Sequence, residues 1–522
     1  MIREISRRKC LRLWLCKPEY MERTKWENRF VLLRFRKKNY MMFLKDLKRF
    51  KMERLYDKLK AYSESDFYAF HMPGHKRNKA LLGIELPYDL DITEIDGFDD
   101  LHHADGILKE EQERAARVFG AEESHFLVNG STAGILSAVM GCTHRGDKIL
   151  VARHCHKSIY HAIYMNGLVP RYVYPEFDIS MHMNGEISKE DVAKALAAEP
   201  DIKAVVIVSP NYDGVVSDVK GIAEVAHSYR IPLIVDEAHG PHFGFHPAFP
   251  GRANDLGADV VINSLHKTLP SLTQTAILHI NGKLANRRRI KKYLDMLQSS
   301  SPSYIFMASL DACVDFLDGK CEEAFELYVE RLQKFREELK PLQHLQILRT
   351  EHYDISKVVI STANANITSP ELAERLRKEY HLEMEMTGGT YVLAMTTVAD
   401  TQEGLDRLKA ALLEIDGQLE AKTAVSGSIE ISGELPRLEQ YFIPQEAADR
   451  EEDGEAEEIP WKESEGHISL EYAYLYPPGS PVIVPGERIS REAVELLCYY
   501  ETQNLQIEGI QTEGKIKVWK HE

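Results

Sequence analysis

The sequence of 522 residues has little cysteine and no long apolar run. Its seven cysteines include no Cys-x-x-Cys pair, and such sparse use is typical of a reducing cytoplasm rather than of a disulfide scaffold. No segment contains the roughly 20 apolar residues that a membrane helix requires. The basic N-terminal region also has no apolar core of signal-peptide length. The sequence therefore predicts a cytoplasmic protein without a membrane partner.

Two familiar nucleotide-binding patterns are also absent. The chain contains neither the Gly-Lys-Ser/Thr of a Walker loop nor the glycine fingerprint of a dinucleotide site. The net charge of −16 is unevenly distributed, because residues 1–51 carry 17 lysines and arginines against five acidic residues. The remaining residues hold 48 basic and 76 acidic side chains. This acidic body argues against a nucleic-acid partner and favours small cationic substrates, although salt weakens that attraction.

Histidines cluster in two places, at residues 154–156 and 239–246. Neither group has cysteine or carboxylate partners at the spacing that metal ligands require. Pro241 and Gly244 interrupt any helix that could align the second group. We therefore predict no metal site.

Residues 1–51 form a basic extension whose composition would suit a transit peptide or a polybasic arm. We favour a simpler interpretation, because residues 52–59 look like a natural start of the protein. The extension is then a disordered tail or an over-long gene start that the fold does not need.

Short apolar segments alternate with helical patterns between about residues 110 and 280. The strands predicted from these segments are 148–151, 204–208, 231–235, 260–262 and 276–280. Continuous apolar runs of this length indicate strands that are buried on both faces. Their alternation with helices predicts a doubly wound, mostly parallel sheet of the α/β class.

Two polar residues follow neighbouring strands of this sheet. Asp236 comes directly after one strand, and Lys267 comes shortly after the next. Open α/β sheets bind ligands at the carboxyl ends of their strands. A lysine there can form a Schiff base with an aldehyde cofactor, while a carboxylate meets the pyridine nitrogen on the opposite edge. The pair predicts a pyridoxal-phosphate site, although Asp236 alone would be taken for a turn or helix cap.

A third element precedes an apolar helical pattern. Gly130, Ser131 and Thr132 lie where a helix begins, and the free N–H groups of a helix N-terminus can hold a phosphate. Taken alone, these residues are equally typical of an ordinary helix cap.

These motifs and their order resemble the ornithine/lysine/arginine decarboxylase family of fold-type-I pyridoxal-phosphate enzymes. The resemblance covers roughly residues 52–490 and is most specific at 129–134, 236–240, 264–274 and 298–304. The sequence looks like the short, wingless bacterial type of this family, which has no N-terminal flavodoxin-like wing.

The resemblance implies a role for most of the matched residues. Lys267 would carry the cofactor, Asp236 would keep its pyridine nitrogen protonated, and His156 would stack on its ring. His239 would lie near the cofactor in a role that the resemblance does not fix. The phosphate-binding positions are Gly130, Ser131, Thr132, Ser264 and His266.

The resemblance and the changes in sequence texture also predict the domains. A large cofactor-binding domain at 52–320 precedes a small α+β domain at 321–445. An acidic linker at 446–464 and a C-terminal subdomain at 465–522 follow. The linker is expected to be an exposed loop, because the dense like charges between residues 449 and 458 resist packing.

The implied activity is that of a carboxy-lyase that acts on a basic amino acid, with arginine first and lysine or ornithine next. It would release CO2 and an amine of the polyamine type. The cofactor site alone leaves open a fold-type-I aminotransferase, another lyase or a catalytically inactive regulator.

Two further expectations concern the assembly and the substrate. The resemblance implies at least a homodimer, with residues 298–304 at the seam between subunits. Asp99, Glu471 and Glu487 are candidates for binding the distal cation of the substrate.

Overall fold

The centre of the large domain is a β-sheet in the computed structural model, which describes residues 54–178, 183–348, 352–422, 435–475, 480–502 and 507–520. The strands of this domain are β1 (Glu123–Leu127), β2 (Lys148–Ala152), β3 (Val169–Val173), β4 (Phe177–Asp178), β5 (Met183–Asn184), β6 (Val205–Val208), β7 (Leu233–Asp236), β8 (Val260–Asn263) and β9 (Ala276–Ile280). β4 and β5 pair with each other, and the other seven form one sheet.

The strand order of the sheet is β1-β9-β8-β7-β6-β2-β3. β9 runs antiparallel to β1 and β8, while every other neighbouring pair is parallel. β6, β7 and β8 are buried at every position, as expected for parallel strands covered on both faces. The predicted α/β fold with a mostly parallel sheet is confirmed.

Helices connect the strands and pack on the sheet. They are α1 (Leu55–Ser63), α2 (Ile107–Val118), α3 (Gly130–Cys142), α4 (Lys157–Met165), α5 (Lys189–Ala198), α6 (Val219–Ser228), α7 (Leu265–Thr268), α8 (Arg287–Leu297) and α9 (Tyr304–Leu317). In the part of the chain that the structure describes, no helix combines the length and apolarity needed to cross a membrane.

An antiparallel sheet follows in the small α+β region, with strand order β10-β11-β13-β12. Its elements are α10 (Glu322–Glu338), β10 (Gln346–Ile347), β11 (Lys357–Ser361), α11 (Ser369–Tyr380), β12 (Met386–Thr387), β13 (Tyr391–Met395) and α12 (Gln402–Asp416). A capping box is present at the start of α11. Thr368 N–H donates to the Glu371 carboxylate at 2.8 Å, and Glu371 N–H donates to Thr368 Oγ1 at 3.4 Å.

The C-terminal region contains three small antiparallel sheets. Its elements are β14 (Glu439–Gln440), α13 (Pro444–Glu452), β15 (Ala456–Pro460), a 3-10 turn (Trp461–Glu463), β16 (Ala473–Leu475), β17 (Pro481–Ile483), β18 (Glu487–Arg488), α14 (Arg491–Thr502), β19 (Ile507–Glu508) and β20 (Lys515–Trp519).

The acidic run at residues 449–458 is largely exposed, as the sequence predicted, but it is not a loop. It contains the end of α13 and the start of β15, which pairs with β20 across five residue pairs. Lys517 on β20 contacts Glu451 at 2.5 Å, and Arg450 contacts Glu455 at 2.7 Å. The prediction of a loop was wrong, because these cations offset the repulsion between the carboxylates. The remaining domain boundaries stay a prediction.

A buried ion pair joins the large domain to the C-terminal region. The Arg153 guanidinium donates to both carboxylate oxygens of Glu487, at 2.7 and 2.8 Å, and also to the Val482 carbonyl at 2.8 Å. The two side chains are almost completely buried, with relative exposures of 4% and 0%. Bidentate geometry and the extra carbonyl satisfy the guanidinium, which is what a buried charge requires.

We expect Glu487→Ala to lower the free energy of unfolding of the C-terminal region by about 3–5 kcal/mol, because it leaves Arg153 buried without its counter-charge. Chemical denaturation followed by the fluorescence of Trp461 and Trp519 measures this loss. Glu439→Ala is the control, since its pair with Arg488 is exposed and should contribute less than about 1 kcal/mol. Equal losses in the two variants would contradict the importance of the buried pair.

Candidate active site

Asp236 and Lys267 lie at the same edge of the central sheet. Asp236 is the last residue of β7, and its backbone pairs with Ile262 on the parallel strand β8. β8 ends at Asn263, and the one-turn helix α7 that follows carries Lys267. The parallel register brings the carboxylate and the amine within electrostatic range of each other.

Burial shifts the protonation of both groups. Burial raises the pKa of Asp236, while the charge of Lys267 and the N–H of Ala238, 3.1 Å away, oppose that rise. Burial lowers the pKa of Lys267, and the charges of Asp236 and Glu385 oppose that decrease. The lowered pKa favours the neutral amine, which is the nucleophilic form of lysine.

His239 lies between two lysines. Its Nε2 atom is 2.8 Å from Lys267 Nζ, and its Nδ1 atom is 3.4 Å from Lys357 Nζ. The ring of Tyr212 lies 4.5 Å from the His239 ring, centroid to centroid. Burial and the two nearby lysines hold the pKa of His239 well below its usual value. The imidazole is therefore neutral at neutral pH.

His156 caps helix α4. Its Nδ1 atom accepts the N–H of Ser158 at 3.2 Å and lies 2.9 Å from the Ser158 hydroxyl. Burial and the charge of Lys267 lower the pKa of His156 to about 4. The ring is neutral, and since Nδ1 accepts, its proton resides on Nε2. A neutral, fixed ring near Lys267 is compatible with the stacking role that the resemblance implied.

The predicted phosphate loop opens helix α3. Gly130 is the first helical residue and has a φ of +73°, a backbone conformation that glycine adopts without strain. The Asn129 side chain makes no capping bond to the helix and instead accepts the N–H of Ser299 at 3.1 Å. The side chains of Ser131 and Thr132 lie in the first turn and are accessible. The N-terminal N–H groups of α3 thus receive no cap from Asn129, which suits anion binding.

A second loop lies beside this helix start. The Gln274 side chain donates to the Val128 carbonyl at 2.6 Å, which ties the loop after α7 to the β1–α3 connection. His266 Nδ1 lies 2.9 Å from the Thr275 carbonyl. Ser264 is fully buried, and its hydroxyl has no hydrogen-bond partner among the described residues. A buried hydroxyl without a partner is costly unless a ligand pairs with it. The loops therefore fit a phosphate group.

Comparison with known proteins is consistent with this geometry. The family profile described as "Orn/Lys/Arg decarboxylase, major domain" matches residues 53–421, and the profile for its C-terminal domain matches residues 434–514. The chain belongs to the Orn/Lys/Arg decarboxylase family. It is therefore an amino-acid decarboxylase, which answers the choice between decarboxylase and aminotransferase that the sequence left open.

Individual relatives of this decarboxylase extend over most of its length. An arginine decarboxylase of Bacillus subtilis is 33% identical over 471 residues, covering 87% of this chain and 95% of the relative. A lysine decarboxylase of Pseudomonas aeruginosa is 25% identical and covers 83% of this chain and 73% of the relative. The solved structure of the constitutive lysine decarboxylase of Escherichia coli has a TM-score of 0.76 at 20% identity, covering 96% of this chain and 86% of that one. This last likeness supports the fold.

The histidines of the decarboxylase at 239–246 have separate partners. His239 contacts the two lysines, and His242 lies 3.0 Å from Thr268 Oγ1 and 3.1 Å from Asp354. His246 lies 3.0 Å from Glu326. Within the described ranges, no group of three or more histidine, cysteine or acidic side chains is placed to hold a metal ion.

The three carboxylates suggested for the distal cation have structural partners instead. Asp99 accepts backbone N–H groups at the start of α2, including those of Gly106 and Leu108 at 2.8 and 2.9 Å. Glu471 accepts the N–H groups of Gln511 and Lys517, and Glu487 binds Arg153. These contacts argue against a role for any of the three in substrate binding.

Sequence reasoning missed three side chains near Lys267. Lys357 contacts His239, while Glu385 acts electrostatically on Lys267 and accepts a hydrogen bond from the Tyr212 hydroxyl. The Tyr212 ring centroid is 5.9 Å from Lys267 Nζ. Lys357 and Glu385 belong to the small domain, and no local motif marks them as neighbours of Lys267. The apolar residues that follow Lys357 are evident in the sequence. Nothing in the sequence shows that the Lys357 side chain itself is buried.

Ser264→Ala provides a test of the phosphate loop. We expect affinity for pyridoxal phosphate to decrease about tenfold or more, because a hydrogen bond to a charged group contributes about 1.5–3 kcal/mol. Stability of the cofactor-free protein should not decrease, since the hydroxyl makes no bond within the protein. Equilibrium binding and thermal melting measure the two effects.

Ser137→Ala is a matched control for this test. Ser137 is also fully buried, but its hydroxyl already donates to the Ala133 carbonyl at 2.7 Å. This variant should change stability and leave cofactor affinity unaltered. Unaltered affinity in Ser264→Ala would exclude the hydroxyl as a phosphate ligand.

Proposed function

We propose that this decarboxylase acts on a basic amino acid, with arginine preferred, and that it uses pyridoxal phosphate bound through Lys267. The observation that supports the cofactor is the buried Asp236 carboxylate near the half-buried Lys267 amine, beside an unpaired Ser264 hydroxyl. The preference for arginine is supported by relatives of 32–33% identity that are named arginine decarboxylases. Lysine and ornithine are the next candidates.

Pyridoxal phosphate, when bound, would supply an electron sink for the pair left by cleavage of the Cα–carboxylate bond. The Asp236 carboxylate would hold a proton on the pyridine nitrogen, because a buried anion is stabilised by an adjacent cation. His156 would cover one face of the ring. Lys267 Nζ and His239 Nε2, 2.8 Å apart, are the groups placed to move the proton that replaces CO2 at Cα.

The charge of the protein suits a cationic substrate. The residues after position 51 carry 76 acidic against 48 basic side chains, so the surrounding potential attracts basic amino acids over distances up to about the Debye length. Near the site, Glu385 adds a carboxylate on the same side as Lys267 and Tyr212.

We further propose that the active unit is a homodimer. Residues 67–86 expose eight large apolar side chains, namely Phe67, Tyr68, Phe70, Met72, Leu81, Leu82, Ile84 and Leu86. A patch of this kind on one segment is typical of a protein interface rather than of a solvated surface. A second copy is the occupant that the family resemblance suggests. The nearby segment at 299–301 is exposed, whereas Tyr304 is buried and donates to the Asp99 carbonyl at 2.5 Å.

A substrate panel tests the activity. Purified protein with pyridoxal phosphate should convert arginine to the corresponding amine faster than it converts lysine or ornithine, as measured by chromatography. Borohydride should fix the cofactor to the peptide that contains Lys267, and Lys267→Ala should abolish that attachment. Failure to decarboxylate any of the three amino acids would overturn the proposal.

Asp236→Asn adds a test of the electron sink. It should retain some cofactor but lose several factors of ten in turnover, each worth about 1.4 kcal/mol of barrier. Asp295→Asn changes a carboxylate that is more than half exposed and serves as the control. Turnover of Asp236→Asn within about tenfold of the parent would show that the ring is activated by another group.

Light scattering tests the assembly. We expect a dimer at micromolar concentration, and Phe70→Asp should shift it towards the monomer because the side chain is 90% exposed in the single chain. Leu327→Asp, on α10, changes a similarly apolar but isolated exposed residue and should leave the dimer intact. A fully active wild-type monomer would contradict the proposed dimer.

A further inference from the structure

Lys357 is buried beside the candidate active site. It is the first residue of β11, has no exposed surface, and lies on the side of His239 opposite to Lys267. Its stem packs over Gly214, where an added Cβ would lie 2.7 Å from Lys357 Cγ. Gly214 has a φ of +106°, so both the space and the backbone conformation at this position require glycine. Lys357 is therefore held in place rather than free to reach solvent.

The hydrogen bonds around His239 restrict the protons that the two lysines can carry. A neutral imidazole offers one N–H group and one lone pair, and a lysine ammonium can only donate. His239 is neutral, so it can bond to both lysines only if its N–H donates to a lysine that is a neutral amine, while the other lysine donates to its lone pair. The 2.8 and 3.4 Å contacts to Lys267 and Lys357 thus require at least one of the two lysines to be a neutral amine.

The surrounding charges favour the proton on Lys357. Three carboxylates act on it electrostatically from separate segments, namely Asp354, Glu385 and Asp213. Asp354 is itself held ionised by His242 and Ser356, which keep its pKa below the usual value despite its burial. Burial and the charge of Lys267 oppose the carboxylates and lower the pKa of Lys357 to about 8.

Other titratable groups also face this array. Lys267 is subject to Asp236 and Glu385, and His239 is also subject to His156 and His266. Asp213 accepts the Tyr391 hydroxyl at 2.5 Å, and burial raises its pKa to about 6. Above that pH, Asp213 is ionised and supports the charge on Lys357.

We propose that Lys357 is a positioning residue that fixes the tautomer of His239 and thereby holds Lys267 as a neutral amine. The Lys357 ammonium donates to His239 Nδ1, which leaves the ring proton on Nε2. That N–H then donates to the lone pair of Lys267 Nζ. A neutral amine attacks a carbonyl and an ammonium does not, so the array keeps Lys267 ready for the aldehyde of the cofactor. This inference rests on the proposed role of Lys267.

Chemical labelling of the full chain, freed of cofactor, tests the array without a catalytic assay. Acetylation by acetic anhydride is measured as a function of pH by mass spectrometry of the Lys267 peptide, with exposed Lys334 as internal reference. In the parent, Lys267 should react with a midpoint below that of Lys334. In Lys357→Met, the midpoint of Lys267 should rise by about one pH unit, which lowers its reactivity at pH 7 about tenfold.

The direction of this shift follows from the charges. Without Lys357, a nearby positive charge is lost and His239 Nε2 becomes free to accept a hydrogen bond from the Lys267 ammonium. Both changes stabilise the charged form of Lys267 and reduce its neutral fraction at pH 7. Lys194→Met removes an exposed lysine and should leave the profile of Lys267 unaltered. An unaltered profile in Lys357→Met would overturn the proposal.

The tautomer of His239 gives a second measurement on the unmodified chain, which keeps the proposal testable if Lys357→Met fails to fold. Nitrogen NMR of histidine-labelled protein, assigned with His239→Asn, should show a neutral ring protonated at Nε2. Protonation at Nδ1, or at both nitrogens, would overturn the proposal. These readouts are independent of turnover, so they can fail while arginine is decarboxylated, or succeed while the substrate panel fails.

Discussion

The burial of the Asp236 carboxylate beside Lys267, at the carboxyl edge of the sheet, constrains the rest of the site. A charge removed from water costs several kcal/mol, and neighbouring groups offset that cost only when the geometry holds them in place. The parallel register of β7 and β8 provides this geometry, because Asp236 ends one strand and Lys267 follows the other within one turn. The adjacent backbone N–H of Ala238 fixes the carboxylate further. A ligand that approaches this edge meets a carboxylate that is already oriented.

The small domain completes the electrostatics that the sheet begins. Lys357 and Glu385 come from β11 and the segment before β12, yet both act on Lys267 or on its neighbour His239. Tyr212 links the two domains, because its ring faces His239 while its hydroxyl donates to Glu385. The electrostatic environment of Lys267 therefore includes side chains from both the sheet and the region that contains β11 and β12. The domains are coupled through the proton positions of a few buried side chains as well as through apolar packing.

The parts of the fold that depend on local sequence were predictable. The apolar runs of β6, β7 and β8 identified buried strands, and the residues that follow two of them identified the candidate site. The capping box at Thr368 was equally local. The acidic run around Glu451 was misjudged because its neutralising partner, Lys517, lies 66 positions further along the chain. The partner of Glu487 was missed for the same reason, since Arg153 is 334 positions away. Lys357 could not be found, because its contact with His239 depends on domain packing.

The placement of positive charge has a consequence for a basic substrate. Such a substrate brings positive charge to a site that already contains Lys267 and Lys357. If both lysines were ammonium ions, the site would repel the substrate, and Lys267 would have no lone pair with which to act as a nucleophile. A neutral His239 between them disfavours that state, since it has one lone pair for two potential donors. The net local charge then falls by one, while Glu385 and the acidic body supply attraction from outside. The His239 imidazole would thus have two effects. It would keep Lys267 as a neutral amine for the cofactor, and it would make the site less positive for the substrate.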